Sequence, residues 1–435
     1  MRIEIPREVE RFGPIKFHDV QKVWELDAGL KHTKNEPKEK ERRVITRVSY
    51  ESTQAIQEDM AIVVPIKDEK IKLLEGVLAG IPHHCTVILV SNSKRSPVDR
   101  YKIEKDALEH MGKFMKKEIF IAHQKDPALG KACEAAGYDY ILDEKGLVRN
   151  GKAEGMILST ILAYLCGKKF IGFIDSDNYF PGAVYEYVQE YSAGLYAAKS
   201  KYAMVRIAWH SKPKIVESNL FFAKRGRASE HTNKILNSLV SGYTGYGTEI
   251  IKTGNAGEHA MSMDLAMNID YSSGYSIEPY HYINVLERFG GIVGSPPKDV
   301  MQEGVEFYQI ESRNPHLHEV KGEEHVKSMS KEAMESIYHS PICPEYLKKE
   351  IHADLISRGL LAEGEEVPQT LRYYPALTKV NMVKFKEALK KTPLYEYMKA
   401  DLSKYKYLNG KNGLMRDKVK TNAHLPSEHA ELEIK

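Results

Sequence analysis

Cysteine and tryptophan are scarce in this chain: 4 Cys and 2 Trp among 435 residues. Cys85, Cys133, Cys166 and Cys343 are widely scattered and form no Cys-x-x-Cys pair, which argues against a zinc knot and against a disulfide framework. Each reads as a buried small hydrophobe. No segment approaches the roughly 18 uncharged apolar residues of a membrane span, and the opening MRIEIPREVERFG has no apolar stretch behind a basic start. A cytoplasmic protein with no membrane partner is therefore expected. An excess of one charge is lacking too: 63 Lys plus Arg face 60 Asp plus Glu, and the net +3 exerts no global pull on nucleic acid. Any anionic ligand must be held locally.

What is present is a globular composition, 42% hydrophobic, on a chain long enough for two or three domain-sized units. The Lys, Glu and Arg load would suit a thermophile's surface. The charge run GLKHTKNEPKEKERR reads as a solvated loop. Regular structure begins at MAIVVPIKDEK, where a short apolar run stopped by Pro65 has the character of a buried parallel strand. A helix is expected from Asp68 to Gly80, then a strand in CTVILVSNSK, a helix through YKIEKDALEHMGKFMKK and a strand in EIFIAHQKD. This alternation predicts an α/β fold with a parallel sheet whose ligands sit beyond the carboxyl ends of the strands. The apolar stripe Ile157, Ile161 and Leu165, with Leu158 and Leu162 beside it, predicts a core-facing helix leading into FIGFIDSDN.

Asp175 and Asp177 thus end an oily strand on the ligand rim. Carboxylates there are costly unless a cation, a basic group or a solvated turn meets them. An Asp-x-Asp turn at a strand's carboxyl edge can present both acids to one divalent ion, or one to the ion and one to a sugar hydroxyl, an arrangement that suits a nucleoside diphosphate. A simple turn cap is the alternative. The glycine-rich Arg149–Gly155 segment places Lys152 at a helix entry, where amides and an ammonium can approach phosphate; it does not match the P-loop pattern. His316 and His318 follow the expected strand VEFYQIESR and are candidates to complete a metal shell. Arg206, Lys212, Asn255 and His259 are candidates to hold an anionic acceptor. Oxygen donors with at most one imidazole suit Mg²⁺, Mn²⁺ or Co²⁺.

Together VVPIKDE, RNGKAEGM, FIDSDNYFPGAV, GNAGEHAM and RNPHLHE, with HDVQKVWELD, resemble the mannosyl-3-phosphoglycerate synthases over nearly the whole chain. The resemblance implies a GT-A type glycosyltransferase with a Rossmann-like mixed sheet flanked by helices and a helical C-terminal extension. It implies transfer of mannose from GDP-mannose to 3-phosphoglycerate with retention, a divalent metal, and a product that serves mannosylglycerate, a compatible solute. It further implies that Asp177 is the firmer metal ligand, with Asp175 closer to the ribose. On the same basis Pro65, Lys67, Glu69, Ser91 and Asn92 form the nucleotide rim, Lys152 neighbours the diphosphate, and His318 is preferred to His316 as metal ligand. The expected division is a catalytic region over 1–325, with a donor half over about 50–180 and an acceptor half over about 181–325. A helical region over 326–435 follows, in which helix pairing would support a homodimer. Two other readings of Asp-x-Asp stand beside this one: a haloacid-dehalogenase-type phosphatase, in which the first Asp is nucleophile, and a sugar-nucleotide binding protein without catalysis.

Overall fold

The computed structural model describes residues 1–26, 45–178, 180–210, 214–216, 219–221, 227–317, 323–395 and 398. The charge run at 29–43 lies outside them up to residue 43, as do Lys212, His318 and the chain beyond 398.

Mixed apolar and charged residues at the start of the chain form four short strands, β1 (Arg2–Glu4), β2 (Val9–Phe12), β3 (Ile15–His18) and β4 (Gln21–Glu25). After β5 (Ile45–Arg47) and α1 (Tyr50–Glu58) comes the expected alternation. It consists of β6 (Met60–Val63), α2 (Ile71–Gly80), β7 (Thr86–Ser91), α3 (Arg100–Met115) and β8 (Ile119–His123). Every residue of β6, β7 and β8 is buried, as the near-continuous apolar runs of a covered parallel sheet require. A helix not foreseen, α4 (Pro127–Ala135), is started by the Asp126 carboxylate, which accepts the Ala128 N–H, and by Pro127 in the first turn. Then come α5 (Lys152–Leu165), β9 (Phe170–Phe173) and α6 (Pro181–Ala197). Gly80 lets α2 and α6 meet: a Cβ there would lie 2.4 Å from the Pro181 carbonyl oxygen.

The second half contributes β10 (Ala203–Trp209), a small pair β11 (Lys214–Val216) and β12 (Asn219–Phe221), α7 (Arg227–Thr244), β13 (His259–Ser262) and α8 (Met263–Asn268). It continues with β14 (Tyr271–Ser272), α9 (Ile277–Phe289), α10 (Lys298–Glu303) and β15 (Val305–Ser312). Last come α11 (Glu323–Tyr338), α12 (Glu345–Ser357), β16 (Tyr373–Tyr374) and α13 (Met382–Lys390).

The main sheet runs β5-β1-β4-β15-β10-β13-β9-β6-β7-β8, with β3 beside β15 and β2 beside β3. From β9 to β8 all pairings are parallel. β13 is antiparallel to both β9 and β10, and β10 is parallel to β15. The sheet is therefore mixed, as expected, and the carboxyl ends of β6, β7, β9, β10 and β15 share one rim with the amino end of β13.

Two apolar clusters cover the two faces of the sheet. One unites Ile157 and Ile161 of α5 with Ile337, Leu347, Leu355, Phe385 and Leu389 from the C-terminal helices. Full burial of such a side chain contributes about 1.5–3 kcal/mol. The described part of the C-terminal helical region is thus built into the core. Its return onto the rest of the chain is fixed by β14–β16 pairing and by the Tyr138 hydroxyl, which donates to the Pro375 carbonyl at 2.6 Å. All four cysteines are free thiols; Cys166 is half-buried and the others buried. No helix among the described residues is long and apolar enough to cross a membrane.

Candidate active site

At the rim the turns after β6 and β7 are stitched to each other. The Asn92 N–H donates to the Ile66 carbonyl at 2.8 Å, and the Lys94 N–H to the Asp68 carboxylate at 2.9 Å. Asp68 adopts a left-handed φ of 59°, and its N–H donates to the Ser93 hydroxyl at 2.6 Å. Pro65, Glu69 and Asn92 are half-buried and Lys67 is exposed, so all four border the open side of these turns. Ser91 does not: its hydroxyl is fully buried and donates to Glu104 at 2.7 Å, with Ser93 donating to the same carboxyl at 2.6 Å. Its side chain braces the turn from below, because a buried hydroxyl on an apolar strand needs a partner and α3 supplies one.

The Arg149–Gly155 segment is held by Gln124, whose amide donates to the Arg149 carbonyl at 2.5 Å and the Gly151 carbonyl at 3.1 Å. Lys152 is the first residue of α5. Its ammonium lies 2.7 Å from an Asp175 carboxylate oxygen and 2.9 Å from a Glu278 oxygen on α9. Burial by itself would lower the Lys152 pKa, but Asp175 and then Glu278 outweigh it and hold the ammonium well above its ordinary value. The carboxylate of Glu154 folds back over the same helix start: a Cβ on Gly151 would lie 1.9 Å from it. Tyr374 of β16 donates to Glu154 at 2.6 Å, and burial pushes the Glu154 carboxyl up. Part of the α5 dipole is therefore met by an acid of the chain itself.

Asp177 is 5% exposed and Asp175 half-buried at the end of β9. The next residue used is Asn178, whose amide donates to the Asp175 carbonyl at 2.9 Å and to Glu258 at 3.0 Å. Gly257 approaches from the loop before β13; a Cβ there would sit 2.7 Å from an Asp175 carboxylate oxygen and 3.5 Å from the Lys152 ammonium. Glu258, Glu278 and Asn178 were not singled out in the sequence. The GNAGEHAM stretch held the signal for Glu258, since an acid between two small residues and a histidine at a strand entry faces the same rim as Asp-x-Asp.

The structure corrects two acceptor candidates. Arg206 is fully buried, donates to the Thr253 carbonyl at 2.9 Å and the Gly254 carbonyl at 3.2 Å, and lies over the Tyr282 ring. It braces the 253–256 loop from inside the sheet, where a guanidinium must find carbonyls. His259 is also fully buried; its Nδ1 lies 2.9 Å from the Gly257 carbonyl, and its ring packs on Phe173 and His281. Burial first, then Arg206 and Lys152, pull its pKa well below the ordinary value, so it is a neutral support. Asn255 differs: it is 6% exposed, and neither its amide nitrogen nor its oxygen has a hydrogen-bond partner among the described residues. A buried amide left unpaired is costly, a cost that a ligand contact would relieve. The loop that carries it is clamped by Asn233 of α7, which accepts the Gly254 N–H at 2.7 Å, and by Gln309 of β15, which accepts the Lys252 N–H at 2.8 Å. Lys212 falls outside the described residues.

His316 is 5% exposed, stacked on Trp209 at 4.6 Å, with its Nδ1 3.3 Å from the Tyr187 hydroxyl. His318 falls outside the described residues. Among the described residues no three His, Cys, Asp or Glu side chains form a metal-type cluster. The donors that are described, carboxylate oxygens at Asp175 and Asp177 and the His316 imidazole, fit a hard divalent cation by their chemistry.

Comparison with known proteins agrees with these motifs. The family model described as mannosyl-3-phosphoglycerate synthase matches residues 5–389. The mannosyl-3-phosphoglycerate synthase of Pyrococcus furiosus is 46% identical over 370 residues, 85% of this chain and 92% of that protein. That of Aeropyrum pernix is 37% identical over 380 residues, 87% of this chain and 95% of that protein. Among solved structures, the glucosyl-3-phosphoglycerate synthase of Mycobacterium tuberculosis with Mn²⁺, uridine diphosphate and glucosyl-3-phosphoglycerate is 16% identical. It covers 75% of this chain and 94% of that one at a TM-score of 0.45.

Proposed function

Because the chain belongs to the mannosyl-3-phosphoglycerate synthase family, we propose that it transfers mannose from GDP-mannose to 3-phosphoglycerate with retention at the anomeric carbon. The product then enters mannosylglycerate synthesis in the cytoplasm. The observation that carries this reading is the Lys152 ammonium, paired at 2.7 Å with the first acid of Asp-x-Asp on the rim of the parallel strands. A divalent cation such as Mg²⁺, Mn²⁺ or Co²⁺ would be held by Asp177 and Asp175 with His316 or His318, and when bound it neutralises charge on the diphosphate.

This chain's own residues do the rest. Lys152 faces the leaving diphosphate, where negative charge grows as the glycosidic bond stretches, so its ammonium stabilises the transition state more than the ground state. Glu278 keeps that ammonium charged and placed when Asp175 turns to other partners. Pro65, Lys67, Glu69 and Asn92 border the nucleotide. Asn255 orients the acceptor with Lys212. Retention is served by attack on the face from which the diphosphate departs, its oxygen taking the acceptor proton. The C-terminal helices support a homodimer.

The test is release of GDP from GDP-mannose with and without 3-phosphoglycerate, with the anomeric configuration of the product read by NMR. Release that requires 3-phosphoglycerate and returns an α-linked product is expected. Release of inorganic phosphate instead would establish the phosphatase reading, and binding without release would leave a sugar-nucleotide binding protein.

A further inference from the structure

The loop that carries His316 leaves the carboxyl end of β15, which is parallel to β10, with Ser312 opposite Trp209. This puts it on the rim shared with Asp175 and Asp177. What holds it there is α6, the helix that begins three residues after Asn178. Glu186, in its second turn, is fully buried. Its carboxylate accepts the Arg313 N–H at 2.7 Å, the Asn314 N–H at 2.8 Å and the Asn314 side-chain amide at 2.6 Å. The next residue, Tyr187, is fully buried and its hydroxyl meets the His316 Nδ1 at 3.3 Å, while Trp209 stacks on the face of that ring. Further along α6, Tyr191 donates to the Phe173 carbonyl at the end of β9 at 2.8 Å. One helix thus touches both the end of β9 and the His316 loop.

We infer that Glu186 and Tyr187 are positioning residues which fix the His316 loop against the Asp175–Asp177 turn, so that a divalent cation meets a site built before it arrives. The inference rests on the reading of His316 as a metal-side residue. Glu186 suits this task better than an amide would. Three N–H groups point at its two oxygens, and the isosteric glutamine would turn an NH₂ toward donors. Groups that orient a metal ligand without touching the metal typically change affinity by 10–100-fold when removed. The next turn of α6 supplies no substitute clamp: both oxygens of Glu190 lack a hydrogen-bond partner among the described residues.

The experiment measures Mn²⁺ binding by calorimetry on the full chain in the presence of GDP, which cannot turn over. Glu186→Gln is expected to weaken Mn²⁺ about tenfold or more, with Tyr187→Phe weaker in effect. The KM for 3-phosphoglycerate should be unchanged. In a His316→Ala background Glu186→Gln should add nothing further, because the clamp acts through that ring. Asn314→Ala, which removes one of the three donors from the loop side, serves if Glu186→Gln does not fold. Unchanged Mn²⁺ affinity in the folded variants, or a full additional loss in the His316→Ala background, overturns the inference. A separate readout needs no metal: in a Trp24→Phe background Trp209 is the one remaining tryptophan. Its emission in the metal-free protein should shift when Glu186 is replaced. If His316→Ala leaves Mn²⁺ affinity unchanged, the metal reading of His316 has failed. The Trp209 emission then decides the clamp by itself, and an unshifted spectrum rejects it.

Discussion

The two sides of the rim are built in opposite ways. On one side, the turns after β6 and β7 hold each other through partners close in sequence: Asp68 and Ser93 are 25 residues apart, and Ser91 and Glu104 are 13 apart. On the side of Lys152, β13 and β15 most of the partners are remote, although Asn233 takes the Gly254 N–H across only 21 residues. Gln309 reaches Lys252 across 57 residues, Lys152 reaches Glu278 across 126, and Glu186 reaches Arg313 across 127. A locally stitched side can keep its shape when the rest of the sheet loosens. A remotely stitched side depends on the antiparallel strand β13 and on β15 being in register, so it should be the first to lose its geometry.

The sharpest break in that comparison is Asp177→Asn, at the point where both sides meet. Loss of transfer on the order of a hundredfold or more is expected, as for removal of a group that serves leaving-group charge. Circular dichroism should be unchanged; near-full activity would remove Asp177 from the site. Next comes Gly257→Ala, which pushes the remote side onto the local one by placing a Cβ 2.7 Å from Asp175. The displaced carboxylate and Lys152 should lower kcat by about ten- to a hundredfold, with thermal stability altered little. A kcat equal to the parent's would mean that the loop can retreat.

The smallest effect concerns pH and tests the remote side alone. His18, at the end of β3 and stacked on Tyr308, is pulled down from 6.5 to about 4 by burial, against the opposing pull of Glu306. Between those values the unfolded chain binds a proton that the folded protein does not, so stability falls as pH drops through this window. The loss is on the order of 3 kcal/mol at most. His18→Phe, which keeps the stack, should flatten urea stability between pH 6.5 and 4. An unaltered pH profile would remove His18 as the cause of acid sensitivity.

Legibility followed the same division. The strands from Met60 to Phe173 and the helices between them, α4 excepted, could be read because each buried strand is a short apolar run closed by polar residues. Asp175, Asp177 and Lys152 stood where that alternation placed them. The first four strands could not be read, because strands of three to five residues with mixed polarity carry too little periodicity to register. Arg206 was misjudged for a related reason: a cation in a sequence looks available to an anion, and only the fold revealed that three loop carbonyls and the Tyr282 face enclose it.

The sequence alone therefore determined the parallel donor sheet, the place of Asp-x-Asp at its edge and the family the motifs belong to, because all of these depend on residues near one another along the chain. The tertiary structure alone decided which polar groups face the site and which support it. Glu278 on Lys152, Glu258 on Asn178, Gln309 on the Lys252 N–H and Glu186 on the His316 loop are contacts between segments far apart in the chain. A buried polar group goes to whichever partner the packed fold brings within hydrogen-bond reach, and composition or spacing does not encode that choice.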